Sequence, residues 1–375
     1  MNEQNLRRQL LDHLTASGSV RSPQWREAVA VTGRHEFLRG GFFRQVPGSA
    51  PTAWEPVMPG DEGWLSGCYS DVSLVTQIAG TIVPGDIRGQ VFRQPTSSST
   101  AGLVVRMLED LEVEVGMRVL EIGTGTGYCT ALLCHRLGDD LVTSVEVDPA
   151  VTVAAATTLA TLGHAPDLIT GDGLAGHKDG APYDRVVATC GVLTIPEQWI
   201  AQTRPGGTIL ATLSGWMHSA ELARLTVHDD GSATGRLLGG QVSFMLARTH
   251  QPPPLGMLPD LGAGIERDTT VDAGLLDDWA ARFVAQTAAP AAQRLHLGDR
   301  GQLLLDTVAG SWTLLQPGRR GWRVRQGGRR RGCGPGCRPG CPRRARAGPG
   351  ATGRRTGSAP SGPAGPGSGA PSSWC

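Results

Sequence analysis

Lysine is almost absent from this chain. Among 375 residues there is one, Lys178, so arginine carries nearly all the positive charge. That bias fits a GC-rich coding sequence rather than selection for guanidinium chemistry. No run of about 18 apolar residues occurs, which excludes an ordinary membrane-spanning helix. The opening Met-Asn-Glu-Gln-Asn-Leu-Arg-Arg has no apolar core of the kind a secretory signal needs, so a cytoplasmic location with reduced thiols is expected. Cys68, Cys129, Cys134 and Cys190 show no CxxC or CxxxH spacing, which argues against structural zinc. The nine histidines form no HExxH, and no Gly-x-Ser-x-Gly elbow appears, so neither a zinc peptidase nor a serine hydrolase is indicated. There is no internal repeat. A hydrophobic share of 39% with a net charge of +1 excludes a wholly disordered chain.

That near-neutral total hides two unlike pieces. No acidic residue follows Asp306, and residues 318–375 hold 13 Arg, 16 Gly and 8 Pro. Residues 1–317 therefore carry 22 basic against 34 acidic side chains, about −12, and the tail +13. An acidic body argues against a nucleic-acid partner. Residues 328–375 cannot build a core and are expected to be a disordered tail. It reads as a polyanion-binding arm or as a frame-shifted translation of GC-rich DNA; the lack of acid favours the latter. Cys333, Cys337 and Cys341 are not read as a metal site.

Residues 1–95 predict a substrate-side lobe. Apolar residues at 6, 10, 11 and 14 give a helix over Asn5–Leu14, and Ser22-Pro23 starts a second through Val31. Four prolines make 45–63 a loop or arm. Residues 96–250 alternate strand and helix: Arg118–Ile122, Tyr128–Leu137, Leu141–Val147, Pro149–Leu162, Leu168-Ile169, Arg185–Ala188 and Thr208–Leu213. Such βα units predict an α/β, doubly wound, mostly parallel sheet. Pro252-Pro253-Pro254 opens a small α+β region, 251–327, with a helix near Leu275–Ala285.

The strongest local signal is Val119-Leu120-Glu121-Ile122-Gly123-Thr124-Gly125-Thr126-Gly127. Its glycines let the backbone turn sharply and approach a ligand. The spacing is not the G-x-G-x-x-G of dinucleotide folds, which disfavours NAD-dependent reduction. Glu146, at the end of the next strand, can accept both hydroxyls of a ribose. Asp172, after the third strand, can accept an adenine amino group. Either acid alone is equally a solvated strand end or turn residue.

Together with Arg204-Pro205-Gly206-Gly207, these motifs resemble class I S-adenosylmethionine methyltransferases. Gly171-Asp172-Gly173, Ala181-Pro182-Tyr183-Asp184, Gly33-Arg34-His35-x-Phe37 and Thr96–Ser99 resemble the protein-L-isoaspartate O-methyltransferase family more closely. The resemblance spans roughly residues 25–250. It implies the seven-stranded methyltransferase sheet, S-adenosyl-L-methionine as cofactor and a peptide or protein carboxylate as substrate. It places the cofactor on Glu121, Gly123, Thr124, Gly125, Gly127, Glu146, Asp172 and Gly173, and the family's active-site serine on Ser99. Ser97 and Ser98 before it, and Thr100-Ala101 after it, depart from the family pattern.

Read from the residues alone, Ser97–Thr100 is an N-cap for the helix carrying Leu103, Val104, Met107, Leu108 and Leu111, or a carboxylate holder built on that helix start. Asp71 and Gln77 shape a peptide groove or a hairpin. Cys190 is a small buried residue or part of a substrate loop. The long N-terminal lobe and the segment after the core resemble homologues that accompany ATP-grasp maturases of ribosomal peptides. That resemblance implies methylation of Asp in a maturase-processed precursor, the ester then closing to an aspartimide. Isoaspartate repair, and an inactive peptide-binding partner, are the alternatives.

Overall fold

The computed structural model describes residues 2–240, 242–318 and 321–328. The expected tail lies outside them, apart from Gly328.

The chain opens with α1 (Glu3–Ala16) and α2 (Pro23–Val31). Asn2 and Ser22 cap them through their side chains, and Pro23 supplies the preset first turn. Next come β1 (Phe42–Gln45), β2 (Trp54–Val57), α3 (Trp64–Cys68), β3 (Leu74–Ile78), β4 (Pro95–Ser99) and α4 (Gly102–Asp110). The four strands form one sheet in the order β2-β1-β3-β4. Two expectations change here. Residues 45–63 are mostly loop, but Trp54–Val57 within them is a strand: β1 and β2 pair as a hairpin, and Pro56 is accommodated because β2 is an edge strand. The lobe's sheet also extends past residue 95, because β4 pairs with β3.

The central layer follows: β5 (Val119–Ile122), α5 (Tyr128–Leu137), β6 (Val142–Glu146), α6 (Pro149–Thr161), β7 (Asp167–Thr170), β8 (Tyr183–Val192), α7 (Glu197–Gln202), β9 (Thr203–Ser214), β10 (Ala220–Val227) and β11 (Ala233–Leu237). These seven strands lie in the order β11-β10-β9-β8-β5-β6-β7. β7, β6, β5, β8 and β9 are parallel, while β10 and β11 return antiparallel, as expected for a mostly parallel doubly wound sheet. Pro205-Gly206-Gly207 does not precede a separate strand. It sits inside β9, where Gly206 has a φ of 75° and the register with β8 slips. On one sheet face, Leu10, Trp25, Leu108, Leu132 and Leu159 join a single core. On the other, Trp199 of α7 packs with Tyr183, Val186 and Ile209. β5 runs outward to β6 and β7 on one side, and β8 lies on the other. The order therefore reverses between β5 and β8, the crevice where such sheets bind ligands.

The remaining residues form β12 (Ile265–Thr269), α8 (Trp279–Ala288), β13 (Ala292–His296), β14 (Gln302–Asp306), β15 (Ser311–Gly318) and β16 (Gly321–Gly328). They make a second antiparallel sheet, β12-β16-β15-β14-β13. Gly328, placed in the tail by its sequence, ends β16. Gln286 and Trp279 of α8 tie this unit to Ser219 and Glu221 of the central layer. Among the described residues, no helix is long and apolar enough to cross a membrane.

Candidate active site

A cleft opens at the reversal point. One wall is the glycine loop between β5 and α5. Gly125 has a φ of 54°, which an L side chain rarely adopts, and its amide donates to Glu146 Oε2 at 3.0 Å. Glu146 Oε1 accepts from the Asp148 amide at 3.1 Å. The carboxylate is thus fixed at the cleft edge, and each oxygen keeps capacity for a hydroxyl donor. Gly123, Thr124, Gly125, Glu146, Asp172 and Gly173 all line the cleft, so folding brings these sequence-predicted residues together. Asp172 is also a local cap, accepting from the Leu174 amide at 3.0 Å. A Cβ on Gly123 would come within 2.9 Å of Thr189 Oγ1, so the loop lies tight against β8.

Two of the residues expected to hold the cofactor do not line the cleft. Glu121 does not reach the cleft. It is fully buried behind the loop, where Oε2 accepts from Thr130 Oγ1 at 2.6 Å and Ser144 Oγ at 2.7 Å. Burial raises its pKa, against the hydrogen bonds of Cys129, Thr130 and Ser144. Thr124 shares this network through Ser144 Oγ at 2.7 Å, so Glu121 braces the loop from beneath. Gly127 is also off the cleft. It precedes α5 and packs against Ala155 and Leu159 of α6, where a side chain would crowd the helices.

Ser99 ends β4 and lines the opposite wall, 5% exposed. The N-cap reading of Ser97–Thr100 fails. The cap position of α4 is Ala101, which makes no side-chain cap, and Asp71 Oδ1 accepts from the Gly102 amide at 2.7 Å instead. Asp71 therefore occupies a donor that the carboxylate-holding reading needed. Ser97 Oγ accepts from Thr76 Oγ1 at 3.2 Å across the β3–β4 pair. No hydrogen bond to Ser99 Oγ forms among the described residues, and the hydroxyl stays available to the cleft.

The third side was not foreseen. Residues 244–249 run along the end of β8, held by the Gly191 amide on Met245 O and the Ala247 amide on Gly191 O, both at 2.8 Å. Arg248 then reaches Asp148 Oδ2 at 2.8 Å and Gln77 Oε1 at 3.0 Å, while Gln77 Nε2 donates to Asp148 Oδ2 at 3.0 Å. One cluster so joins the lobe, the cap of α6 and this strap. Burial opposes the Asp148 charge, but Gln77, Arg248 and the amides of Val151 and Ala150 outweigh it and bring its pKa to about 2. The only sequence signal was Gln77, singled out for a groove. Cys190 also lines the cleft, but burial, with Glu146 and Asp172 nearby, pushes its thiol to about 12, so it is no thiolate nucleophile at neutral pH.

A switch-point cleft with a strained glycine loop, an anchored acid after the second strand and a second acid after the third defines a class I S-adenosylmethionine-dependent methyltransferase. The sequence model described as "Protein-L-isoaspartate(D-aspartate) O-methyltransferase (PCMT)" matches residues 85–246. The chain is 34% identical over 154 residues to a protein-L-isoaspartate O-methyltransferase of Thermococcus onnurineus, covering 40% of this chain and 70% of that one. It is 29% identical over 237 residues to the Methanopyrus kandleri enzyme of the same name, covering 62% and 88%. A solved structure titled protein-L-isoaspartate O-methyltransferase shares the fold with a TM-score of 0.52 and 20% identity, over 86% of this chain and 88% of that one. The chain belongs to the protein-L-isoaspartate O-methyltransferase family. It is an enzyme of that type, and its cofactor is S-adenosyl-L-methionine.

Proposed function

We propose that this enzyme methylates the free carboxylate of an isoaspartyl residue in a peptide or protein. The observation that carries the reading is the position of Ser99, across one cleft from the glycine loop, Glu146 and Asp172. In this reading Glu146 holds the ribose, Asp172 the adenine, and Gly123 and Gly125 leave room for the thioether chain. When bound, S-adenosylmethionine supplies an electrophilic sulfonium methyl; a C–O bond forms as the S–C electron pair returns to sulfur. The substrate carboxylate is already ionised at pH 7, so no general base is needed. The protein's work is orientation and exclusion of water. Ser99 Oγ donates to the carboxylate oxygen that does not attack. Arg248 and Asp148 hold the strap over the cofactor.

The substrate path is an open groove between β1 and β3. These strands pair only at Phe43 and Val75 and then diverge, and the groove meets the cleft at Ser98 and Met245. Methylation of an Asp side chain in a precursor peptide is the second reading, favoured by the C-terminal sheet.

Methyl-labelled cofactor offered with an isoaspartyl peptide, its aspartyl isomer and a maturase-processed precursor tests this. Base-labile label on the isoaspartyl peptide is expected. Label confined to the precursor would replace the repair reading. Failure of S-adenosylhomocysteine to bind in a calorimeter would remove the assigned cofactor residues.

A further inference from the structure

Arg34 begins the turn Arg34–Leu38 and is completely buried. Among the described residues, none of its hydrogen-bond partners is a carboxylate. Nη1 donates to the carbonyls of Cys68 at 3.1 Å and Ser70 at 2.7 Å. Nη2 donates to those of Val72 at 3.3 Å and Ser99 at 2.8 Å. Burial lowers its pKa, opposed by nearby Tyr128, Cys68 and Asp71. A cation buried without an ion pair is costly, and an apolar side chain in its place would take this donor from four carbonyls. Its targets show what the arrangement holds in place.

Three of the four carbonyls belong to residues 68–72, the segment that carries Asp71. The fourth is that of Ser99. Asp71 in turn takes the Gly102 amide at 2.7 Å, and a Cβ on Gly102 would overlap its carboxylate. The turn from Ser99 to Gly102 is thus gripped at both ends. Arg34 holds the carbonyl at one end and orders the segment that holds the amide at the other. The planar guanidinium can span two chain segments in this way; an ammonium presents its donors from one point.

We propose that Arg34 is a positioning residue for methyl transfer, which with Asp71 clamps the Ser99–Gly102 turn so that Ser99 faces the cleft. Arg34 touches neither substrate nor cofactor and acts through Ser99. The inference rests on the reading of Ser99 given above.

Arg34→Lys is the test. Turnover of the isoaspartyl peptide should fall about tenfold or more, as misplacement of a reacting group does. KM for the peptide and affinity for S-adenosylhomocysteine should stay within about twofold, because Gly125 and Glu146 lie on the other wall. In the S-adenosylhomocysteine complex, amide hydrogen exchange should quicken at residues 99–104 and not at 119–127. Wild-type turnover, or turnover that falls only in step with cofactor affinity and melting temperature, would overturn the inference. If Arg34→Lys does not fold, Asp71→Ala opens the other end of the clamp and must show the same split; wild-type turnover there overturns it too. Ser99→Ala separates the two readings. Unchanged turnover in that variant refutes the role of Ser99, whereas a slow Ser99→Ala beside a normal Arg34→Lys refutes only the clamp.

Discussion

The two walls of the cleft are built by different means. On the cofactor wall, Glu146 reaches Gly125 across 21 residues and Ser144 reaches Glu121 across 23. One βαβ unit makes the glycine loop and its anchored acid. On the reacting wall, Arg34 reaches Ser99 across 65 residues, Gln77 reaches Asp148 across 71 and Arg248 reaches Gln77 across 171. Strand and turn geometry determine the first wall. The second exists only after the lobe, the sheet and the strap have met. The first should respond to backbone changes, the second to loss of single long-range side chains.

The most severe way to break the contrast is Gly125→Val. A β-branched residue at a φ of 54° is strained, and its side chain enters the cleft. Affinity for S-adenosylhomocysteine should fall at least about 100-fold by calorimetry; wild-type affinity would refute the cofactor wall as drawn. Ser99→Ala should cut turnover about 10- to 100-fold with cofactor affinity nearly unchanged, because it removes one hydrogen-bond donor from the opposite wall. Arg248→Met should speed dissociation of S-adenosylhomocysteine about 3- to 10-fold in stopped flow, on the scale of one lost charge-assisted hydrogen bond. An unchanged off-rate would show that the strap holds without its ion pair.

The smallest effect is a pH dependence. The Asp148 pKa is about 2 in the folded protein, below the ordinary aspartate value of 3.8, so its ionised form stabilises the fold. The contribution, on the order of 1–2 kcal/mol, is complete above about pH 4 and fades as pH falls towards 2. The difference in melting temperature between wild type and Asp148→Asn should therefore narrow between pH 5 and pH 2.5. A constant difference would remove the charge from the account.

This contrast also explains what could be read from the sequence. The strand, glycine loop and helix at 119–137 sit where their pattern predicts, as do Glu146 and Asp172. Their signals are local, and the physics that shapes them acts within a few tens of residues. Family resemblance singles out Ser99 from Ser97–Thr100, and the local reading of that stretch as a cap is mistaken. The acid that caps α4 lies 31 residues upstream, which no N-cap rule can see. Glu121 and Gly127 carried the right motif but support the loop from behind. Burial is a tertiary property, and spacing alone does not say which side of a loop a residue faces. Arg34 shows in the sequence only as part of a motif and Arg248 not at all, since a lone arginine gives no periodic signal.

The strap over β8 has a consequence in time. Arg248 is the last residue in sequence of the cluster beside the cleft, and its partner Gln77 lies 171 residues earlier. Joining such distant segments costs more chain entropy than forming the glycine loop, so the two walls need not form together. On the ribosome the glycine loop and Glu146 emerge roughly a hundred residues before Arg248. A growing chain can therefore own a formed cofactor wall before it owns a closed site.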